Sequence, residues 1–137
     1  MSMQTATELH TVSLTVTEEV IRAYAELTND FNPIHLDAEF AAKTPMGRPI
    51  AHGTLSLCLI WQCLERNFGA EVLADLDLQV RFIQPVYVGD VITACCQATE
   101  AAPDQHKVSV HGQDGSKRIV GTVTLNASHP LEQGDKA

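Results

Sequence analysis

In "HTVSLTV", Val12, Leu14 and Val16 alternate with Thr11, Ser13 and Thr15, which is the period of a half-buried strand. The period then changes. Val20, Tyr24 and Leu27 recur at i, i+4 and i+7 behind Thr17, a residue suited to capping, and Glu18 and Glu19 favour the positive end of a helix dipole. This predicts a helix that stops near Thr28 or Asn29. The segment "TLSLCLIWQCLERNF" is apolar on nearly every face until Glu65, begins after Gly53 and stops before Gly69, a good residue to follow a helix end. A helix of that kind must be wrapped by protein. Period two then returns at Leu76, Leu78, Val80 and Phe82, breaks at "QPVYVGD", and resumes in strands predicted over residues 91–100, 106–111 and 118–127, with "GQDGS" as the last turn.

One strand, a buried helix and a run of long antiparallel strands predict an α+β domain whose sheet curls around that helix. The 137 residues, 45% of them apolar, suffice for one core and are too few for two independent domains. A single domain over residues 1–137 is expected, with 128–137 as a flexible polar tail.

Charge narrows the partners. Nine Lys and Arg against 17 Asp and Glu leave a net charge of −8, which argues against nucleic acid and anionic membranes. An anionic ligand would need a local cationic patch. The N-terminus lacks a basic start followed by an apolar run, and no apolar run approaches the roughly 20 residues of a membrane span, so a cytoplasmic protein is expected. Cys58, Cys63, Cys95 and Cys96 carry no metal-site spacing and read as reduced core thiols.

The chemistry concentrates in residues 27–54, "LTNDFNPIHLDAEFAAKTPMGRPIAHGT", where Pro33, Pro45 and Pro49 leave room for only a short helical turn around 37–43. Asp30 and His35, five residues apart across an Asn-Pro break, can be turned toward one point. Such a pair can hold and polarise a water, one group taking a proton while the other gives one. Asn32, forced toward extended geometry by Pro33, bonds local backbone or reaches the same site, the local role being favoured. Gly53 stands at the start of the buried helix, where free N–H groups make an oxyanion site and the missing Cβ admits a substrate carbonyl. Taken singly, an Asp-x-Asn-Pro is more often a turn and a His-Gly before a helix more often a cap.

Their order in one chain resembles a known family. "TNDFNPIHLD", "RPIAHGTL" and "VRFIQPVYVGD" are similar to the MaoC-like hydratases and dehydratases, in particular the (R)-specific enoyl-CoA hydratases of hot-dog fold. The family's Asp-x-Asn-Pro-aliphatic-His run is met by Asp30, Asn32, Pro33, Ile34 and His35, and its His-Gly by His52 and Gly53. The resemblance implies that Asp30 and His35 are the catalytic pair and that the Gly53 N–H binds the thioester oxygen. It implies reversible syn hydration of trans-2-enoyl-CoA to (R)-3-hydroxyacyl-CoA, with acyl carrier protein as the other possible carrier, no metal, and no cofactor beyond the coenzyme A of the substrate. It also implies a homodimer whose sheets join edge to edge, with the acyl-CoA entering near the interface. Asn29 stands where the family commonly has Gly, and Asn is the next most tolerant residue at positive φ.

The remaining candidates have plainer readings. His52 is expected to orient the helix start. His10, His106, His111 and His129 are expected to be solvent-exposed, and Trp61 to lie in the core, the alternative being that it lines the acyl pocket. Lys43, Arg48 and Arg81 are the candidates for the coenzyme A phosphates. The crowded central helix favours short to medium acyl chains. Two rival functions share the fold: a hot-dog acyl-CoA thioesterase, and a non-catalytic acyl-binding subunit of a heteromeric dehydratase.

Overall fold

The computed structural model describes residues 9–100 and 102–126, so the tail from residue 128, with His129, lies outside the described residues. Strand β1 (Val12–Thr15) leads through the Thr17 cap, whose hydroxyl accepts from the Val20 N–H, into helix α1 (Glu18–Thr28). Two short helices follow, α2 (Pro33–Leu36) and α3 (Ala38–Ala42), and then the long α4 (Gly53–Phe68). A 3-10 turn (Ala70–Ala74) leads to β2 (Leu76–Phe82), β3 (Val91–Ala98), β4 (Gln105–His111) and β5 (Lys117–Leu125).

The five strands form one sheet in the order β1-β3-β4-β5-β2, and every pair is antiparallel. Register sorts the faces. Val12 opposite Ala94, Cys96 opposite Val108, and Val123 opposite both His106 and Leu78 make one continuous inner face. Against it lie Leu55, Leu59, Ile60, Cys63 and Leu64 of α4, all buried. This is the curled sheet around a helix that the periods predict, and it is the hot-dog arrangement. Among the described cysteines all four are free; Cys63 and Cys96 are buried, and burial pushes the Cys63, Cys95 and Cys96 thiols up, Cys96 to about 12.

Four expectations are corrected. The core-facing side of α1 is Ile21 and Ala25, flanked by half-buried Val20 and Tyr24, while Leu27 is 80% exposed because the buried stripe sits one residue round the helix. His106 is buried rather than exposed: it shares the inward parity of Val108 and Val110, and its ring meets Phe68 edge-on at 4.9 Å. Trp61 is only half-buried, on the side of α4 away from the sheet that also carries Leu57 and Cys58. Finally, Pro33 starts a helical turn instead of ending one, because a proline at the first helical position gives up an N–H that has no partner there anyway.

The connection from β2 to β3 is locked by a buried ion pair. Arg118 Nη1 donates to Asp90 Oδ2 at 2.8 Å, with both side chains about 7% exposed. Arg118 also donates to the Pro85 carbonyl and to Ser116 Oγ, while Asp90 accepts from the Tyr87 N–H and from Gln113. Burial alone would push Asp90 up; these bonds outweigh it and hold the carboxyl below its ordinary value. The locked segment in turn anchors residues 49–51, through Ala51 N–H to Val86 O, Val88 N–H to Pro49 O, and a bridge between Ile50 and Tyr87.

Candidate active site

The chain reverses at the end of α1. Asn29 adopts the left-handed conformation (φ 58°, ψ 39°), and the N–H groups of Asn29 and Asp30 both close on the Ala25 carbonyl. Asn therefore serves in the positive-φ position, and Asp30 leaves the helix pointing back toward α4. Asn32 Oδ1 accepts from the Ile34 N–H at 3.0 Å and so caps α2. The Asn32 amide thus works on the backbone, and one turn later α2 delivers His35.

Two backbone carbonyls aim the imidazoles. His35 Nδ1 lies 2.8 Å from the Ile50 carbonyl, and His52 Nε2 lies 3.0 Å from the Asp30 carbonyl. A carbonyl only accepts, so each of these nitrogens carries the proton, and His35 Nε2 keeps its lone pair for chemistry. The rings stack with centroids 3.8 Å apart and planes 26° from parallel. Tyr24 packs its edge on His52 at 5.1 Å, and its hydroxyl donates to Thr54 Oγ1 at 2.8 Å. His52 itself is buried, and its Nδ1 has no partner. It braces the Asp30 backbone from the base of α4.

A carboxylate oxygen of Asp30 and one ring nitrogen each of His35 and His52 lie within 4.8 Å of one another. Asp30 is exposed and His35 half-buried. Burial pushes His35 below the ordinary imidazole value, and nearby His52 adds to this against the opposing pulls of the Ile50 carbonyl and Asp30. His35 is therefore neutral at neutral pH. The trio is poorly shaped for a metal ion: lone pairs lie in ring planes, and two stacked imidazoles in nearly parallel planes do not converge on one centre. A water between Asp30 and His35 suits the arrangement better.

Gly53 is the first residue of α4, with His52 before it making no side-chain cap bond. Leu55 N–H returns to the His52 carbonyl, whereas the Gly53 and Thr54 N–H groups have no acceptor among the described residues. A groove of about 280 Å³ opens there, lined by Met46, Ile50, Gly53, Ser56, Phe82 and Ile83 among others. A Cβ at Gly53 would stand 3.0 Å from the Phe82 ring, so glycine is what lets the helix end and the strand end approach this closely. None of the trio lines this groove, which meets their neighbours instead: Ile50, whose carbonyl holds His35, and Gly53, which follows His52. His35 itself lines a small separate cavity of about 70 Å³ with Glu18, Arg22 and Pro49.

The cationic candidates are not gathered. Arg48 lies over the Tyr87 ring at 4.3 Å, beside Gln84 and Pro85 at the groove's rim. Arg81 is on β2 with outward parity, facing a separate depression of about 580 Å³ with Lys107 and Lys117, and Lys43 is exposed at the end of α3. Sequence reasoning missed the Ile50 carbonyl, which sets the His35 tautomer. A backbone acceptor leaves no mark in residue identity.

A family model described as "MaoC like domain" matches residues 2–121. An (R)-specific enoyl-CoA hydratase of Aeromonas caviae is 39% identical over 109 residues, covering 77% of this chain and 81% of that protein. A 3-hydroxybutyryl-CoA dehydratase of Methylorubrum extorquens is 34% identical over 84 residues, 61% of this chain but only 54% of its own length. Among solved structures, an (R)-hydratase from A. caviae described as involved in PHA biosynthesis superposes with a TM-score of 0.71 at 30% identity, covering 85% of this chain and 92% of that one.

Proposed function

Because the chain belongs to the MaoC-like domain family, we propose that it catalyses the reversible syn hydration of trans-2-enoyl-CoA to (R)-3-hydroxyacyl-CoA. Relatives named hydratase and dehydratase run one reaction in opposite directions, and the chain is a hydro-lyase of that kind. The observation that carries the finer reading is the convergence of Asp30 and neutral His35 beside the free N–H groups of α4.

The chemistry follows from those positions. Attack of water at Cβ of a conjugated thioester sends charge to the thioester oxygen, which the Gly53 N–H and the helix end receive. Asp30 and His35 hold the water between them, and as a coupled pair they take one proton from it and return one to Cα. One water supplies both hydroxyl and proton, so both arrive on the same face. The groove past Phe82 and Ile83 takes the acyl chain, and its volume of about 280 Å³ favours short to medium chains. Arg48 lines a depression that shares Gln84 and Pro85 with the groove, and it is assigned here to a coenzyme A phosphate.

A homodimer completes this reading. The outer edge of β2 has no strand beside it among the described residues, and Phe82 and Ile83 are about half exposed at its end. Pairing of two such edges satisfies the backbone groups and covers both side chains. No helix among the described residues is long and apolar enough to cross a membrane.

The test is hydration of crotonyl-CoA by the purified chain, followed by loss of enoyl absorbance, with chiral analysis of product formed in heavy water. Syn addition and an (R) product are expected. An (S) product overturns the mechanism, and release of free thiol identifies a thioesterase instead.

A further inference from the structure

Ser56 is 2% exposed, and its hydroxyl has no hydrogen-bond partner. A buried unpaired hydroxyl costs stability, and alanine, a better helix former, would avoid the cost. A serine inside a helix ordinarily donates back to the carbonyl four residues earlier. Here that carbonyl belongs to His52 and already accepts the Leu55 N–H at 3.0 Å, and Ser56 Oγ makes no such bond. Its position says what else it can do. Ser56 lies three residues after Gly53 on the same face of α4, and both line the 280 Å³ groove. A helical Cβ leans toward the helix N-terminus, so the Ser56 hydroxyl is carried back over the first turn, toward the space in front of the Gly53 N–H. The Phe82 ring lines the same groove, its nearest atom 3.0 Å from where a Gly53 Cβ would stand, so the missing Cβ leaves the room a thioester needs.

We infer that Ser56 Oγ is a second donor to the thioester oxygen, so that developing negative charge is held by an N–H from the first turn of α4 and an O–H from the same face. The inference rests on the thioester reading of this site and adds a residue to it. The hydroxyl gains its partner only when substrate is bound, and gains most as charge builds on that oxygen. It therefore acts on kcat more than on KM.

The test pairs Ser56→Ala with Ser56→Thr, which keeps the hydroxyl. For Ser56→Ala, kcat for crotonyl-CoA is expected to fall about 10²-fold, the loss seen when one oxyanion donor is removed, with KM little changed and Tm not lowered. Ser56→Thr is expected to keep most of the activity. A readout independent of turnover is the carbonyl stretch of bound butanoyl-CoA: it shifts to lower frequency on the wild-type protein, and part of that shift is lost in Ser56→Ala. Wild-type kcat and an undiminished shift in Ser56→Ala overturn the inference, as does an equal loss of activity and Tm in both variants, which marks a packing role. A wild-type protein that binds and polarises the thioester without hydrating it overturns the hydration reading alone and leaves the second donor standing. Absence of any thioester binding overturns both.

Discussion

Two segments wall the groove, and they are held in opposite ways. The connection between β2 and β3 is fastened by Asp90 and Arg118, a buried pair whose charged atoms are taken up by one another, by Pro85, Ser116 and Gln113, and by the Tyr87 N–H. The excursion from Asn29 to His52 contains no ion pair among the described residues; it is shaped by the Asn32 and Asp37 caps and by carbonyls that hold the two imidazoles. Saturated charges can fix a loop but have nothing left for a substrate. Where backbone does the fixing, side-chain atoms stay available, and His35 Nε2 and the second oxygen of the Asp30 carboxylate, whose Oδ1 accepts from the Asn32 N–H at 3.3 Å, are the result. The rigid wall also supports the reactive one, because Val86 and Tyr87 bond and bridge to residues 50 and 51.

The comparison is broken most severely on the reactive side. Asp30→Asn and His35→Ala are each expected to lower hydration by about 10²–10⁴-fold, with Tm nearly unchanged. On the proposed mechanism both groups act on one water, so the double variant should lose far less than the product of the single losses. Next in size is Arg118→Ala, which leaves Asp90 buried and unpaired and should cost about 3–5 kcal/mol in denaturant unfolding. In the protein that remains folded, kcat should fall far less than in His35→Ala. A variant with unaltered stability would show that the pair fastens nothing. Replacing the caps sharpens the contrast: Asn32→Ala should cost about 1 kcal/mol and also lower kcat, whereas Asp37→Ala, with a similar cost, should leave kcat largely alone.

The smallest effect is in pH dependence. Reaction as assigned needs neutral His35, and burial places its pKa below the ordinary imidazole value. The acid limb of kcat/KM should therefore fall below pH 6.5, and a limb at or above that value would contradict a half-buried His35 acting as the reactive imidazole. On the rigid side the linkage concerns Asp90. Its carboxyl is lowered in the folded state, so its contribution to stability is present above the ordinary value of 3.8 and is lost as pH falls through the folded value. Arg118→Ala should remove much of that dependence.

Elements buried on one side were the most legible. The alternation at Val12, Leu14 and Val16, the apolar α4 and the inward set Leu76, Leu78 and Val80 follow from period alone, because one face of each meets the core. The same rule applied to His106 would have found it buried beside Val108 and Val110; its polarity hid its parity. Leu27 misled in the opposite direction, an apolar residue in helical register whose helix turns a different face inward. At the candidate site, Asp30, Asn32, His35, His52 and Gly53 read singly as turn and cap residues, and it was their order, resembling a family motif, that singled them out. Ile50 was not singled out, since its part is played by a carbonyl, nor was Arg118, because a charged residue in a strand reads as solvated until its partner is seen.

The thiol of Cys96 has a practical consequence. At 4% exposure and with its pKa pushed up to about 12, it offers a reagent almost no thiolate and almost no access while the core is closed. Labelling of Cys96 therefore waits for an opening that parts α4 from the sheet, and with reagent in excess its slow rate measures how often the core breathes. Cys58, half-buried on the opposite side of the same helix, is the internal standard for access without opening. The ratio of the two rates, followed by mass shift, would time the breathing of the core without adding a probe or altering a residue.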